Sequence, residues 1–184
     1  MKQKRLVAKL SLIFVLLNFI CASSAYALIN QPDEESLRAA MVIGILRFTK
    51  LPLEADVTKI QVCTVGQPLV EKKLGSVISS LRVAQKKLTL TKIDSYKQNT
   101  DFCHVIIEGE NALATEQTFK KLSQHKRKPL IVCDGCEHGL NYSAIEIFKR
   151  NSGIGFKVNL VLAKQNNIVF SSSLLELATE IKGN

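Results

Sequence analysis

The sequence contains no tryptophan, only three tyrosines and only four prolines among 184 residues. So sparse an aromatic set, with little interleaving of aromatic and basic side chains, argues against a nucleic-acid-binding protein. No stretch is low in complexity and no unit repeats along the chain, which excludes solenoids and compositionally biased tails. A Gly-rich phosphate loop, a nucleophile elbow and a His-Glu metal-binding helix are all missing. No apolar run reaches the ~20 residues of a membrane span. What is present is a globular composition, 46% apolar and 22% charged. The length suits one domain with a full core and is short for two.

The first residues follow a different logic from the rest. Lys2, Lys4, Arg5 and Lys9 form a basic start, and Leu10 to Ile20 is apolar but for Ser11 and Asn18. Ala22-Ser23-Ser24-Ala25-Tyr26-Ala27 then places small residues at the −3 and −1 positions of a cut after Ala27. This is the three-part layout of a secretory signal peptide. Lipid attachment at Cys21 is not expected, because bulky Ile20 precedes it. Residues 1–27 are therefore predicted to be a signal peptide, and residues 28–184 a single domain exported to the periplasm without stable membrane insertion. Cleavage would lower the net charge from +9 to +5, since the signal holds four basic residues and no acidic one. It would also remove one of five cysteines. Cys63, Cys103, Cys133 and Cys136 remain, an even set suited to an oxidising compartment.

Beyond the signal, helical and extended patterns alternate. Pro32-Asp33-Glu34-Glu35 predicts a helix start, with acidic groups at the positive end of the dipole. Leu37, Ala40, Met41, Gly44, Ile45 and Phe48 follow as one apolar stripe, and Pro52 ends the element. Val42, Ile43 and Leu46 make the back of this helix apolar too. Such a helix is either sandwiched in the core or shared with another chain, so these three are the candidate partner or dimer interface. Strands are predicted at Lys59–Gly66, Leu88–Ile93, Phe102–Ile107 and Pro129–Cys133. Helices are expected after Pro68, with Val70, Leu74, Val77, Ile78 and Leu81 inward, and over Ala114–Gln124, with Phe119 and Leu122 inward. Ala144–Phe148 and Phe156–Leu162 read as a hairpin about Asn151-Ser152-Gly153. Ser171 or Ser172 is expected to cap a last helix carrying Leu174, Leu175, Ala178 and Ile181 on one face. The alternation predicts an α/β fold: a mainly parallel, doubly wound (Rossmann-like) sheet with a C-terminal antiparallel hairpin and flanking helices.

Cys133-Asp134-Gly135-Cys136 admits two functional readings. A thioredoxin-like redox pair would open a helix that lowers a thiol pKa, but Glu137-His138-Gly139-Leu140-Asn141 is turn-like. A zinc site recruiting His138 and His104 would need four converging ligands, and Cys63 and Cys103 lie far off in sequence. A structural or regulatory disulfide closing a tight loop is the plainer reading. Cys63 and Cys103 fall in the first and third strands, commonly neighbours in a doubly wound sheet. Their Cα atoms could then meet the ~4.4–6.8 Å window of a disulfide, which favours Cys63–Cys103 with Cys133–Cys136 over the two other pairings. Val65-Gly66-Gln67-Pro68 stands where nucleotide folds hold phosphate, yet one glycine does not make a phosphate loop. His125-Lys126-Arg127-Lys128, with Lys120 and Lys121, gathers at a helix C-terminus, where cations complement the dipole. No catalytic constellation, metal set or cofactor motif emerges.

Four segments carry a resemblance. Leu37-Arg38-Ala39-Ala40 through Phe48-Thr49-Lys50-Leu51-Pro52, Cys63-Thr64-Val65-Gly66, Phe102-Cys103-His104-Val105-Ile106-Ile107, and Gly155-Phe156-Lys157-Val158-Asn159-Leu160 through Ser171-Ser172-Ser173-Leu174-Leu175-Glu176-Leu177-Ala178 together resemble the YfiR-like family of periplasmic proteins. Leu51 stands where that family usually has Trp, and Gly44 replaces a common Asn. Leu140-Asn141-Tyr142-Ser143-Ala144-Ile145 stands at its Gly-Gly-Met-Ile step. The resemblance implies a binding module and not an enzyme. It implies a repressor of a membrane-bound diguanylate cyclase, contacting that enzyme's periplasmic region and so governing cyclic-di-GMP signalling and biofilm formation. A homodimer is a separate expectation, from the apolar back of the first helix. The rival class is a small-ligand receptor or redox-active enzyme using the cleft near Gly66, Asp134 and Cys133/Cys136.

Overall fold

The structure is a computed structural model that describes residues 32–124, 127–151 and 153–183. The expected signal peptide, and His125 and Lys126 of the basic cluster, lie outside them. Asp33–Asn184 forms one compact unit. Its elements are α1 (Glu34–Arg47), β1 (Thr49–Lys50), β2 (Lys59–Val65), α2 (Glu71–Val77), β3 (Arg82–Val83), β4 (Lys86–Ile93), β5 (Val105–Glu108), α3 (Glu116–Gln124), β6 (Leu130–Asp134), β7 (Ile145–Arg150), β8 (Gly153–Asn159), α4 (Leu160–Gln165), β9 (Val169–Phe170), α5 (Ser172–Leu177) and β10 (Glu180–Lys182). Eight strands form one sheet in the order β10-β8-β7-β6-β5-β2-β4-β3, and β1 pairs with β9 separately. The run β4-β2-β5-β6-β7 is parallel throughout, and β8 returns antiparallel to β7. This is the α/β sheet with terminal hairpin that the alternation implied. Chain order reverses at β2, whose neighbours are β4 and β5, so the switch point lies at the carboxyl ends of β2 and β5.

Alternation within the strands sends side chains to two cores. Val62, Val105, Ile107, Leu130, Val132 and Ile145 pack on one face with α1, α2 and α5, through Val42, Ile45, Leu46, Leu74 and Leu174. Cys63, Val65, Ile106 and Ile131 occupy the other, under Phe119 and Leu122 of α3. Central strands buried on both sides explain the near-continuous apolar runs in the sequence.

Four local expectations need correction. First, α1 begins as predicted, with Asp33 accepting from the Ser36 N–H at 2.7 Å, but its buried side is Arg38, Ala39, Val42, Ile45 and Leu46. Of the stripe expected in the core only Ile45 is fully buried, while Ala40 and Phe48 are exposed. Second, β3 and β4 form a hairpin about Ala84 and Gln85, whose φ values are +47° and +64°. Both central residues in the left-handed region make a type I′ geometry, which is hard to see without the usual Asn-Gly or Asp-Gly. Third, the strand expected to reach Leu162 stops at Asn159. There the Asn159 Oδ1 accepts the N–H groups of Val161 and Leu162 at 3.1 and 3.2 Å and starts α4. Fourth, Ser171 does cap the last helix, accepting from the Leu174 N–H at 3.2 Å, but α5 ends at Leu177. Ile181 instead lies in β10, parallel to β8. The edge of β8 would otherwise expose unpaired backbone, and β10 covers it.

Both disulfides join the favoured pairs: Cys63–Cys103, with Cα atoms 5.9 Å apart, and Cys133–Cys136, 5.3 Å apart. The first staples β2 to the segment entering β5. Closing a loop of 40 residues, it contributes ~3–4 kcal/mol by chain-entropy reasoning.

Candidate functional site

The crevice between the carboxyl ends of β2 and β5 is where a ligand would bind in this class of fold, and the chain itself fills it. The Gln67 N–H donates to Glu110 O at 2.8 Å, and the Gly109 N–H to Val65 O at 3.0 Å. These bonds lace the loop after β2 to the loop after β5. Two glycines make the contact attainable. A Cβ on Gly109 would fall 2.0 Å from the Pro68 nitrogen, and one on Gly66, which has φ +73°, would fall 2.4 Å from Glu110 O. Gly66 therefore serves backbone closure, not phosphate. Beside the closure, Glu108, Asn111, Ala112, Ala114, Glu137 and His138 enclose about 70 Å³. Cofactor-sized ligands occupy roughly 300–1,000 Å³.

Asp134 sits at the start of α2, where a phosphate would stand. Fully buried, its carboxylate accepts from the Val70 N–H at 2.7 Å and from the Arg38 guanidinium. Arg38 in turn donates from Nε to Glu34 at 3.0 Å. Burial pushes the Asp134 carboxyl up, against the Arg38 charge that draws it down. One acid thus ties β6, α1 and α2 together, and its charge opposes any anion at this helix start. Sequence reading passed over Arg38, although Glu34 four residues earlier was a visible partner.

On the opposite face, Glu108 ends β5 in register with Cys133 of β6. It is 2% exposed. Burial raises its carboxyl to about 7, with the Tyr96 hydroxyl and the His138 ring drawing it down. His138 is held by Nε2 against Ala114 O at 2.9 Å and edge-on to Phe119 and Tyr142, which stack at 4.3 Å. His104 is also internal, its Nδ1 accepting from the Gln61 N–H at 3.0 Å. With Cys63, Cys103, Cys133 and Cys136 in disulfides and His104 and His138 engaged, the residues weighed as zinc ligands hold the fold. Among the described residues no group of three or more His, Cys, Asp or Glu could hold a metal. The Cys133–Cys136 loop leads into a single 3₁₀ turn, Gly139–Asn141. It lacks the helix N-terminus that activates a thioredoxin-type thiol.

Glu108 makes stability depend on pH with a definite sign. The folded state keeps its proton to about pH 7, whereas an unfolded glutamate loses it near 4.5, so its stabilising contribution disappears as pH rises across that window. Relative to Glu108→Gln, the wild type is expected to lose about 2–3 kcal/mol between pH 5 and pH 8. Urea unfolding of both proteins at the two pH values measures this. Parallel pH profiles would show that Glu108 does not titrate there.

The candidate interface on α1 requires a correction. Val42 and Leu46 are each 1% exposed in the single chain, and Ile43 is partly buried against the same core. The sandwiched alternative therefore holds for Val42 and Leu46, and neither is open to a partner. The apolar surface that α1 leaves outward is Ala40 and Phe48, with Leu37 and Gly44 partly covered. Val169 is exposed beside Phe48 on the outer side of the β1–β9 pair, where Lys50 faces Val169 and the Ser171 N–H bonds Phe48 O at 3.0 Å. Leu51 belongs to the core.

No helix among the described residues is long and apolar enough to cross a membrane. In comparisons with known proteins, a family model described as YfiR/HmsC-like matches residues 35–179. No curated protein matches.

Proposed function

Because this chain belongs to the YfiR/HmsC-like family, we propose that it is an exported regulator working in the periplasm. It represses a membrane-bound diguanylate cyclase by contact with that enzyme's periplasmic region, and so lowers cyclic-di-GMP output and biofilm formation. It acts by binding and not by catalysis. The observation that carries this reading is the family match across nearly all of Asp33–Asn184. The closed crevice supports it, because a chain that fills its own ligand cleft with backbone and a buried ion pair has put its surface to other use.

Deleting the gene in its native host is expected to raise cyclic-di-GMP several-fold, and restoring the exported protein should reverse the rise. The protein should also co-purify with the periplasmic region of the cyclase responsible. An unchanged cyclic-di-GMP level after deletion overturns the proposal. Restoration by a variant lacking residues 1–27, which would remain in the cytoplasm, overturns the periplasmic part of it.

A further inference from the structure

Cations stand abreast at the amino end of the parallel strands. In the register of the sheet Arg82 of β3 lies opposite Lys87 of β4, and Lys87 lies opposite Lys59 of β2. All three are exposed. Same-sign side chains directly opposite one another repel, and among the described residues no carboxylate forms an ion pair with any of the three. The nearest polar contact in the row is Arg82 donating to Gln85 O at 3.4 Å.

An aromatic group continues the row. The His104 N–H bonds Gln61 O at 2.9 Å, so Phe102, two residues earlier, comes out at the level of Lys59. Phe102 is 40% exposed, and Arg127 reaches its carbonyl at 3.4 Å. Acidic groups at this end are few: Glu54, bound to Arg127 at 3.3 Å, with Asp56 in the same loop and Asp101 beside Phe102.

We propose that the amino end of the sheet seats the protein on an anionic phospholipid surface, with Arg82, Lys87 and Lys59 over the headgroups and Phe102 at the interface. The row crosses three strands at about 4.8 Å spacing, a straight rim matched to a flat layer of charge. An aromatic ring level with the cations suits the polar–apolar boundary of a bilayer. Each cation near such a surface strengthens binding by about fivefold. Three give weak, reversible and salt-sensitive attachment, which would hold a periplasmic regulator beside a membrane-bound target. That last consequence rests on the function proposed above, and the lipid contact does not.

The test is co-sedimentation of the purified protein with vesicles of phosphatidylglycerol and phosphatidylcholine in equal parts, against phosphatidylcholine alone. Binding is expected to be at least tenfold stronger to the anionic vesicles and to vanish at high salt. The triple variant Lys59→Gln, Arg82→Gln, Lys87→Gln should lose at least tenfold with an unchanged or higher melting temperature. Lys97→Gln, Lys120→Gln, Lys121→Gln, an equal change of charge on the α3 side, should stay within about twofold of wild type. Equal loss in both triples, or no preference for anionic vesicles, overturns the proposal. So does a first triple that keeps vesicle binding but no longer co-purifies with the cyclase region, which would make the row a protein contact. Full vesicle behaviour in a protein that represses no cyclase supports the seat and counts only against the function.

Discussion

Leu46→Lys is expected to unfold the protein rather than to dissolve an assembly. Leu46 is 1% exposed and lies in the larger core with Val42, Ile45 and the inner face of the sheet. Losing the buried leucine costs ~1.5–3 kcal/mol, and an unpaired ammonium in the same apolar site adds several more. The total, roughly 4–6 kcal/mol, rivals the 5–15 kcal/mol that holds a domain of this size together. Phe48→Lys, two residues on but 48% exposed, should cost about 1 kcal/mol or less. Thermal melting with light scattering on both variants decides between interior and interface. A Leu46→Lys protein that melts near the wild-type temperature while the assembly shrinks would place Leu46 on an outer surface.

Asp134→Leu is expected to destabilise by about 3–5 kcal/mol, because it removes the buried carboxylate from the buried Arg38 guanidinium and leaves only the partly exposed Glu34 to pair it. The Val70 N–H also loses its acceptor at the start of α2. Arg38→Met alone should be nearly as costly, since it strands the Asp134 carboxylate. The double variant should recover most of the loss, because an apolar pair of similar volume can replace a buried ion pair at little cost. Denaturant unfolding of the four proteins closes the cycle. Single variants within 1 kcal/mol of wild type, or a double variant that simply adds the two losses, would mean that the pair does not organise the carboxyl end.

Residues speaking for themselves were enough for much of this molecule. Strands β2, β5 and β6 were legible because a strand buried on both faces must be apolar at nearly every position. Helix starts were legible at Asp33 and Ser171, where a capping side chain precedes an apolar stripe, but not at Asn159, whose cap stands inside an apolar run that reads as strand. The disulfide partners followed from strand order, since Cys63 lies in β2 and Cys103 just before β5, its neighbour in the sheet. Short elements were less legible. The Ala84-Gln85 turn carries no residue that prefers positive φ, and Ile181 suits a helix as well as a strand.

Charge inside the fold was hidden for a different reason. Glu108 and Asp134 each close an apolar run and look alike in sequence, yet alternation sends them to opposite faces. Asp134 meets Arg38 and a helix start, whereas Glu108 meets Tyr96, His138 and a disulfide. Helix α1 shows the same limit. Its sequence is apolar on both sides, so periodicity alone favoured Leu37, Met41 and Phe48 as the inner stripe. Local sequence thus determined the order and type of the main elements, because propensity, capping and alternation act over a few residues. Only the tertiary structure decided which side of α1 turns inward and which buried acid is paired, because the buried carboxylate of Asp134, 96 residues away, must find a cation, and only the Arg38 side of the helix supplies one.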